Sequence, residues 1–205
     1  MLADHKITEY LDEAAAGTAV PGGGSVAALN AALAASLTEM VANLTVGKKG
    51  YETVDEEMTV LAEKASQLRK KLTAAIDQDA DAYTEVMAAY RLPKTTDEEI
   101  ALRKQKIQES IKHAALVPLE VARDALKVIE LAGQAIQKGN KNAASDGAVA
   151  AMNARTAALA AIYNVKINLS SIDDDSFVDK LAYEVKELET QVGKKENEAL
   201  AYVKI

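Results

Sequence analysis

The sequence predicts an all-α fold: an elongated multi-helix bundle with about six helices, two of them very long. Three observations carry this. Only 3 prolines and 10 glycines occur in 205 residues, so long stretches lack helix-breaking residues. The chain is 49% hydrophobic but only 4% aromatic, with much of the apolar content alanine, which lets helices approach closely. Helix start and stop signals fall in a few clusters, which divides the chain into long segments.

A short first helix is expected from about Asp4 to Ala16, stopped by Gly17. Pro21-Gly22-Gly23-Gly24-Ser25 opens a second, with Ser25 as its N-cap, running to about Val46 before Gly47. Thr53-x-x-Glu56 has the form of a capping box and begins the third helix, which meets no breaker before Leu92-Pro93. Thr96-x-x-Glu99 begins the fourth, which reaches Lys138 and is expected to kink at Pro118. Gly139-Asn140 ends it. Ser145 is expected to cap a fifth helix to about Ser170, and Asp173 or Asp174 a sixth. Helices of about 40 residues span roughly 60 Å, so the bundle is long, and an exposed apolar flank on it would favour self-association. No linker or repeat divides the chain, and residues 1–205 read as a single domain.

The net charge of −7 argues against nucleic acid as the main partner, since phosphate binding needs a concentrated basic face. There is no cysteine and there are two histidines, which removes thiolate chemistry and leaves few imidazoles for a metal or a triad. The first residues lack the apolar run of a signal peptide. The most apolar stretch, Val26 to Val46, is interrupted by Asn30, Ser36, Glu39 and Asn43, unlike a membrane span. A cytoplasmic protein is expected.

On the third helix, apolar residues recur every three or four positions: Leu61, Ala65, Leu68, Leu72, Ala75 with Ile76, Ala82 with Tyr83, Val86 and Tyr90. This is a bundle-facing stripe, and Asp79 falls within it. Asp77 and Asp81 point elsewhere at 100° per residue, so the triplet is not a metal cluster, and replacing either by Asn is expected to be nearly silent. A carboxyl among Leu, Ala and Tyr resists ionisation, which makes Asp79 a candidate proton carrier. A buried aspartate hydrogen-bonded to a backbone or amide partner is the alternative.

The fifth helix places Asp146, Ala150, Asn153, Ala157, Ala160 with Ala161, Asn164 and Asn168 on one stripe, a wall with room for a flat ligand, or else a solvated face or Asn contacts between close-packed helices. Beside it runs a mostly apolar stripe of Val149, Met152, Thr156, Leu159, Tyr163 and Ile167. Gly22, Gly23 and Gly24 before a helix allow a ligand close to free N–H groups; a joint between packed helices explains them equally. Lys48 and Lys49 lie in a short loop and are candidates for an acidic substrate tail.

In several ordered blocks the chain resembles the cyclodeaminase/cyclohydrolase family of one-carbon folate enzymes. The blocks are Pro21 to Ala28, Met40 to Thr45, Gly47 to Lys49 with Tyr51, and Asp77-x-Asp79-Ala80. Leu92-Pro93-Lys94, Val117-Pro118-Leu119, Gly139-Asn140, Ser145-Asp146 and Asn164 to Leu169 follow. The resemblance implies a helical bundle, a homodimer and a tetrahydrofolate derivative as substrate. The reaction is then either ring closure of 5-formimidoyltetrahydrofolate with loss of ammonia, a step of histidine degradation, or hydrolysis of 5,10-methenyltetrahydrofolate. It assigns the catalytic aspartate to Asp79 and the ligand loop to Gly22, Gly23, Gly24 and Ser25. Asn43, Asn164 and Asn168 are candidates for orienting the pterin or the one-carbon unit, Asp146 for substrate binding, and Lys48 and Lys49 for the glutamate tail. Neither reaction needs a metal or redox cofactor, and since the resemblance does not extend to a transferase domain, formimidoyl transfer is expected to need a separate enzyme. The reading from another class is a non-catalytic helical dimerisation or scaffold protein.

Overall fold

A computed structural model describes residues 1–204. Six α-helices follow in order: α1 (Ile7–Ala15), α2 (Gly23–Asn43), α3 (Asp55–Tyr90), α4 (Asp97–Lys138), α5 (Ala144–Leu169) and α6 (Asp175–Leu200). α3 and α4 have 36 and 42 residues, about 54 and 63 Å of helix, so the predicted pair of very long helices is present.

α2 lies at the centre of the bundle. Ala27, Ala28, Ala31, Ala34 and Ala35 are fully buried, and their small side chains let α3, α4 and α5 pack closely around it. It is long and apolar enough to cross a membrane, but here its apolar content forms the core between other helices. Larger core residues surround it: Leu72 and Ile76 from α3, Leu119, Val128 and Ile129 from α4, Ile162 and Val165 from α5, and Val185 and Val192 from α6. α2 and α5 run antiparallel. Gly23 lies beside Asn164, whereas at the other end the Asn140 N–H donates to Thr45 Oγ1 at 2.8 Å.

Several helix ends differ from expectation. The N-cap of α2 is Gly22, and Ser25 lies inside the helix, fully buried. The glycines let the chain enter the helix early, leaving the Ser25 hydroxyl free for other partners. Thr53-x-x-Glu56 forms no capping box: residues 52–54 make a 3₁₀ turn and α3 starts at Asp55. The Asp55 carboxylate instead accepts from Gly47 N at 2.6 Å. Ser145 is not a cap either, because Asn140 caps the turn Lys141–Ala143 that runs directly into α5. α2 ends at Asn43, and Gly47, at φ +69°, turns the chain afterwards. The Thr96–Glu99 box and the Asp174 cap form as predicted. α4 continues unbroken through Pro118.

Asp77 has a structural task that its spacing does not reveal. Its two carboxylate oxygens accept from Leu2 N at 2.5 Å and Ala3 N at 3.4 Å, anchoring the N-terminal turn to α3. Asp77→Ala is therefore expected to remove about 1 kcal/mol of stability, seen as a lower Tm in thermal denaturation, with kcat within about twofold of wild type.

Candidate functional site

The upper half of α3 does not face a closed core. Beyond Asp79, the same helix face carries Ala82, Tyr83, Val86 and Tyr90, and these line an open cavity of about 460 Å³. Tyr83 and Tyr90 are 41% and 45% exposed, so beyond Ile76 the expected bundle-facing stripe is core only in part: Ala82 stays buried while the tyrosines open onto the cavity. The opposite wall comes from α4 (Ile111, Ala114) and α5 (Asn164, Ile167, Asn168), and the floor is the start of α2 with Gly22, Gly23 and Gly24. The volume suits a small organic ligand.

Asp79 sits where these walls meet, half-buried. Burial pushes its carboxyl above the usual carboxylate range, against the opposing pull of the Ser25 hydroxyl and backbone N–H. Ser25 Oγ lies 3.1 Å from Asp79 Oδ2 and 2.9 Å from the Ile76 carbonyl. A hydroxyl has one proton. It donates to Asp79 when the acid is ionised; when Asp79 is protonated, it donates to Ile76 and accepts from the acid. Asp79 thus keeps a partner in both states, which suits a group that exchanges a proton. Tyr10 of α1 is buried beneath it with an unpartnered hydroxyl, and burial, then the carboxyls of Asp79 and Asp77, hold that phenol in its neutral form.

The two asparagines are oriented alike by backbone acceptors. Asn164 Nδ2 donates to the Ala160 carbonyl at 2.9 Å. Asn168 Nδ2 donates to the Ala114 carbonyl at 2.9 Å and to the Asn164 carbonyl at 3.0 Å. Reversing either amide would set oxygen against oxygen, so each Oδ1 is free, and Asn164 keeps a second Nδ2 proton besides. Among the described residues, no Lys or Arg lines the cavity.

The structure therefore brings together Gly22, Gly23, Gly24, Asp79, Asn164 and Asn168, with Ser25 behind the aspartate. Within one chain it does not bring Asn43, Lys48, Lys49 or Asp146 to them. These lie at the other end of α2 and α5, about 30 Å away along α2. There Lys48 Nζ donates to Asn140 Oδ1 at 2.8 Å, and Asn43 and Lys49 are exposed. Asp77, Asp79 and Asp81 diverge, with Asp81 exposed. Sequence reasoning missed Tyr83, Met87 and Tyr90 as site residues, although they follow Asp79 at helical spacing. It also missed Ala114.

The formiminotransferase-cyclodeaminase family profile matches residues 6–187. A methenyltetrahydrofolate cyclohydrolase from Methylorubrum extorquens is 41% identical over 94% of this chain and 93% of its own length. A formimidoyltransferase-cyclodeaminase from Rattus norvegicus is 35% identical over 91% of this chain, which spans only 35% of that larger protein. Among solved structures, a formiminotetrahydrofolate cyclodeaminase from Thermotoga maritima superposes with a TM-score of 0.88 at 32% identity, covering 99% of this chain and 98% of that one.

Proposed function

Since the chain belongs to the formiminotransferase-cyclodeaminase family, we propose that it is a tetrahydrofolate enzyme acting on the carbon held between N5 and N10, with Asp79 as proton carrier. The reading favoured first is 5,10-methenyltetrahydrofolate cyclohydrolase, because the relative of that name aligns almost end to end. The observation that carries the chemistry is the placement of Asp79 at the base of the cavity, desolvated yet hydrogen-bonded to Ser25.

In hydrolysis, water adds to the methenyl carbon and Asp79 takes its proton. The resulting carbinol collapses to 10-formyltetrahydrofolate as the C–N5 bond breaks and N5 receives a proton from the same carboxyl; the carbinol O–H proton is released. The second reading, 5-formimidoyltetrahydrofolate cyclodeaminase, is supported by the full-length structural likeness. There N10 attacks the formimidoyl carbon, protonated Asp79 supplies the proton with which ammonia leaves, and the carboxylate so formed takes the N10 proton as the ring closes. Side by side, 5,10-methenyl- and 5-formimidoyl-tetrahydrofolate are expected to show a higher kcat/KM for the methenyl substrate. The opposite order would favour the cyclodeaminase and a place in histidine degradation; turnover of neither would remove the folate reading.

The same proposal includes a homodimer. α2 and α5 leave Leu33 49%, Val149 46%, Met152 52% and Tyr163 70% exposed, an apolar flank with few charges. A two-fold axis near Leu33 would lay the far end of one α2 beside the cavity of the other copy. The cations at that end, Lys48 and Lys49, are missing from the cavity itself and suit a glutamate tail. Leu33→Glu is expected to halve the mass measured by light scattering after size exclusion, with helicity retained.

A further inference from the structure

Pro118 has no N–H to donate, and in α4 that vacancy falls on the carbonyl of Ala114, four residues earlier. Ala114 lines the cavity, and its carbonyl accepts from Asn168 Nδ2 at 2.9 Å. A buried carbonyl left without a partner is costly, so the missing helix bond creates an acceptor that one orientation of the Asn168 amide satisfies. Both Nδ2 protons of Asn168 are engaged, on Ala114 and Asn164. Only Oδ1 remains for the cavity. One turn away, Asn164 is oriented the same way by Ala160.

We propose that Pro118 is a positioning residue: through the Ala114 carbonyl it fixes the Asn168 amide, so that Asn168 and Asn164 present a wall of two acceptors to the N–H-bearing edge of the ligand. In a reduced pterin that edge is the neighbouring ring N–H and exocyclic amino group, two adjacent donors that match two acceptor oxygens. The choice of a pterin rests on the proposed folate function; the orientation of Asn168 by Pro118 does not. At Asn168, with both Nδ2 protons engaged, the oxo edge of the ring, an acceptor, finds no donor.

The test is Pro118→Ala, which restores an N–H at position 118 to compete for Ala114. The expected Tm is at or above that of wild type, because alanine is the better helix residue by about 3 kcal/mol in intrinsic propensity. KM for 5,10-methenyltetrahydrofolate is expected to rise about five- to tenfold, a loss of the order of one imperfect hydrogen bond, with kcat within about twofold. In an Asn168→Ala background the same change is expected to leave KM unaltered. An equal rise in both backgrounds, or no rise in either, overturns the proposal. Hydrogen exchange at the Asn168 side-chain amide, followed by NMR without ligand, reads the orientation directly. Faster exchange in Pro118→Ala is expected, and unchanged protection overturns it even if no folate is turned over. Faster exchange with unchanged KM overturns the contact to the ligand edge. If alanine leaves too large a gap for α4 to fold, Pro118→Val restores the same N–H with comparable bulk and carries the same expectations.

Discussion

Asp79→Asn is expected to lower kcat by about 10²–10⁴-fold, the usual worth of a positioned proton carrier, while raising thermal stability at neutral pH. The two effects share one cause. Burial holds the Asp79 carboxyl above its ordinary range in the folded state, so folding favours the protonated form. For a group shifted upward in this way, the stabilising contribution is complete below the unfolded pKa and is lost as pH rises through the folded pKa. Above the folded value, wild type therefore carries a desolvated charge that Asn does not. Tm measured from pH 4 to pH 8 is expected to show the variant above wild type at the alkaline end, with the gap closing as pH falls. Asn retains the hydrogen bond with Ser25, so collapse of the site would not account for the lost turnover. Equal Tm at every pH would show that Asp79 is too well solvated for the proposed chemistry, and wild-type kcat would remove it from the reaction.

The fold was largely legible because helix periodicity and glycine-proline punctuation are local signals. Thr96 with Glu99 and Asp174 act where their spacing places them. The misread ends have physical reasons. Ser25, Thr53 and Ser145 are good caps in isolation, but α2 and α5 start before their serines, which leaves these inside the helix, and the 3₁₀ turn over residues 52–54 delays α3 until after Thr53. Asp79 stood out as a carboxylate in an apolar line, and the same periodicity implied Tyr83, Val86 and Tyr90 on its face. What a one-dimensional pattern lacks is whether a stripe meets another helix or a gap. The α3 stripe does both: it is core up to Ile76 and still buried at Ala82, while Tyr83 and Tyr90 open onto the cavity. Lys48 and Lys49 show the converse: ordered motif blocks do not reveal which end of a long bundle each occupies. Asp77 was legible as facing away from Asp79, but not as the anchor of residues 2 and 3, a contact across 75 positions of sequence.

Gly24→Ala is expected to have the second-largest effect, because a methyl group there has no room. A Cβ built on Gly24 falls onto the carboxyl of Asp79, so either Asp79 leaves its seat beside Ser25 or α2 withdraws from α3. Displacing a reacting group by about 1 Å costs on the order of 10²-fold in rate, and overpacking at a close helix contact costs about 1–3 kcal/mol. Ordinary helix propensity predicts the reverse sign for stability, since Ala exceeds Gly by about 1 kcal/mol within a helix. The neighbouring glycine separates the two arguments: a Cβ on Gly23 would meet Asn164 Nδ2 at 3.4 Å, an ordinary contact. Gly23→Ala is thus expected to keep wild-type Tm or better and to affect kcat less than Gly24→Ala. Measured together by thermal denaturation and steady-state kinetics, the pair tests whether close approach to Asp79, rather than flexibility of the three-glycine run, is what position 24 requires. If Gly24→Ala proved as active and as stable as Gly23→Ala, α2 and Asp79 would not be in the close contact on which the site is built.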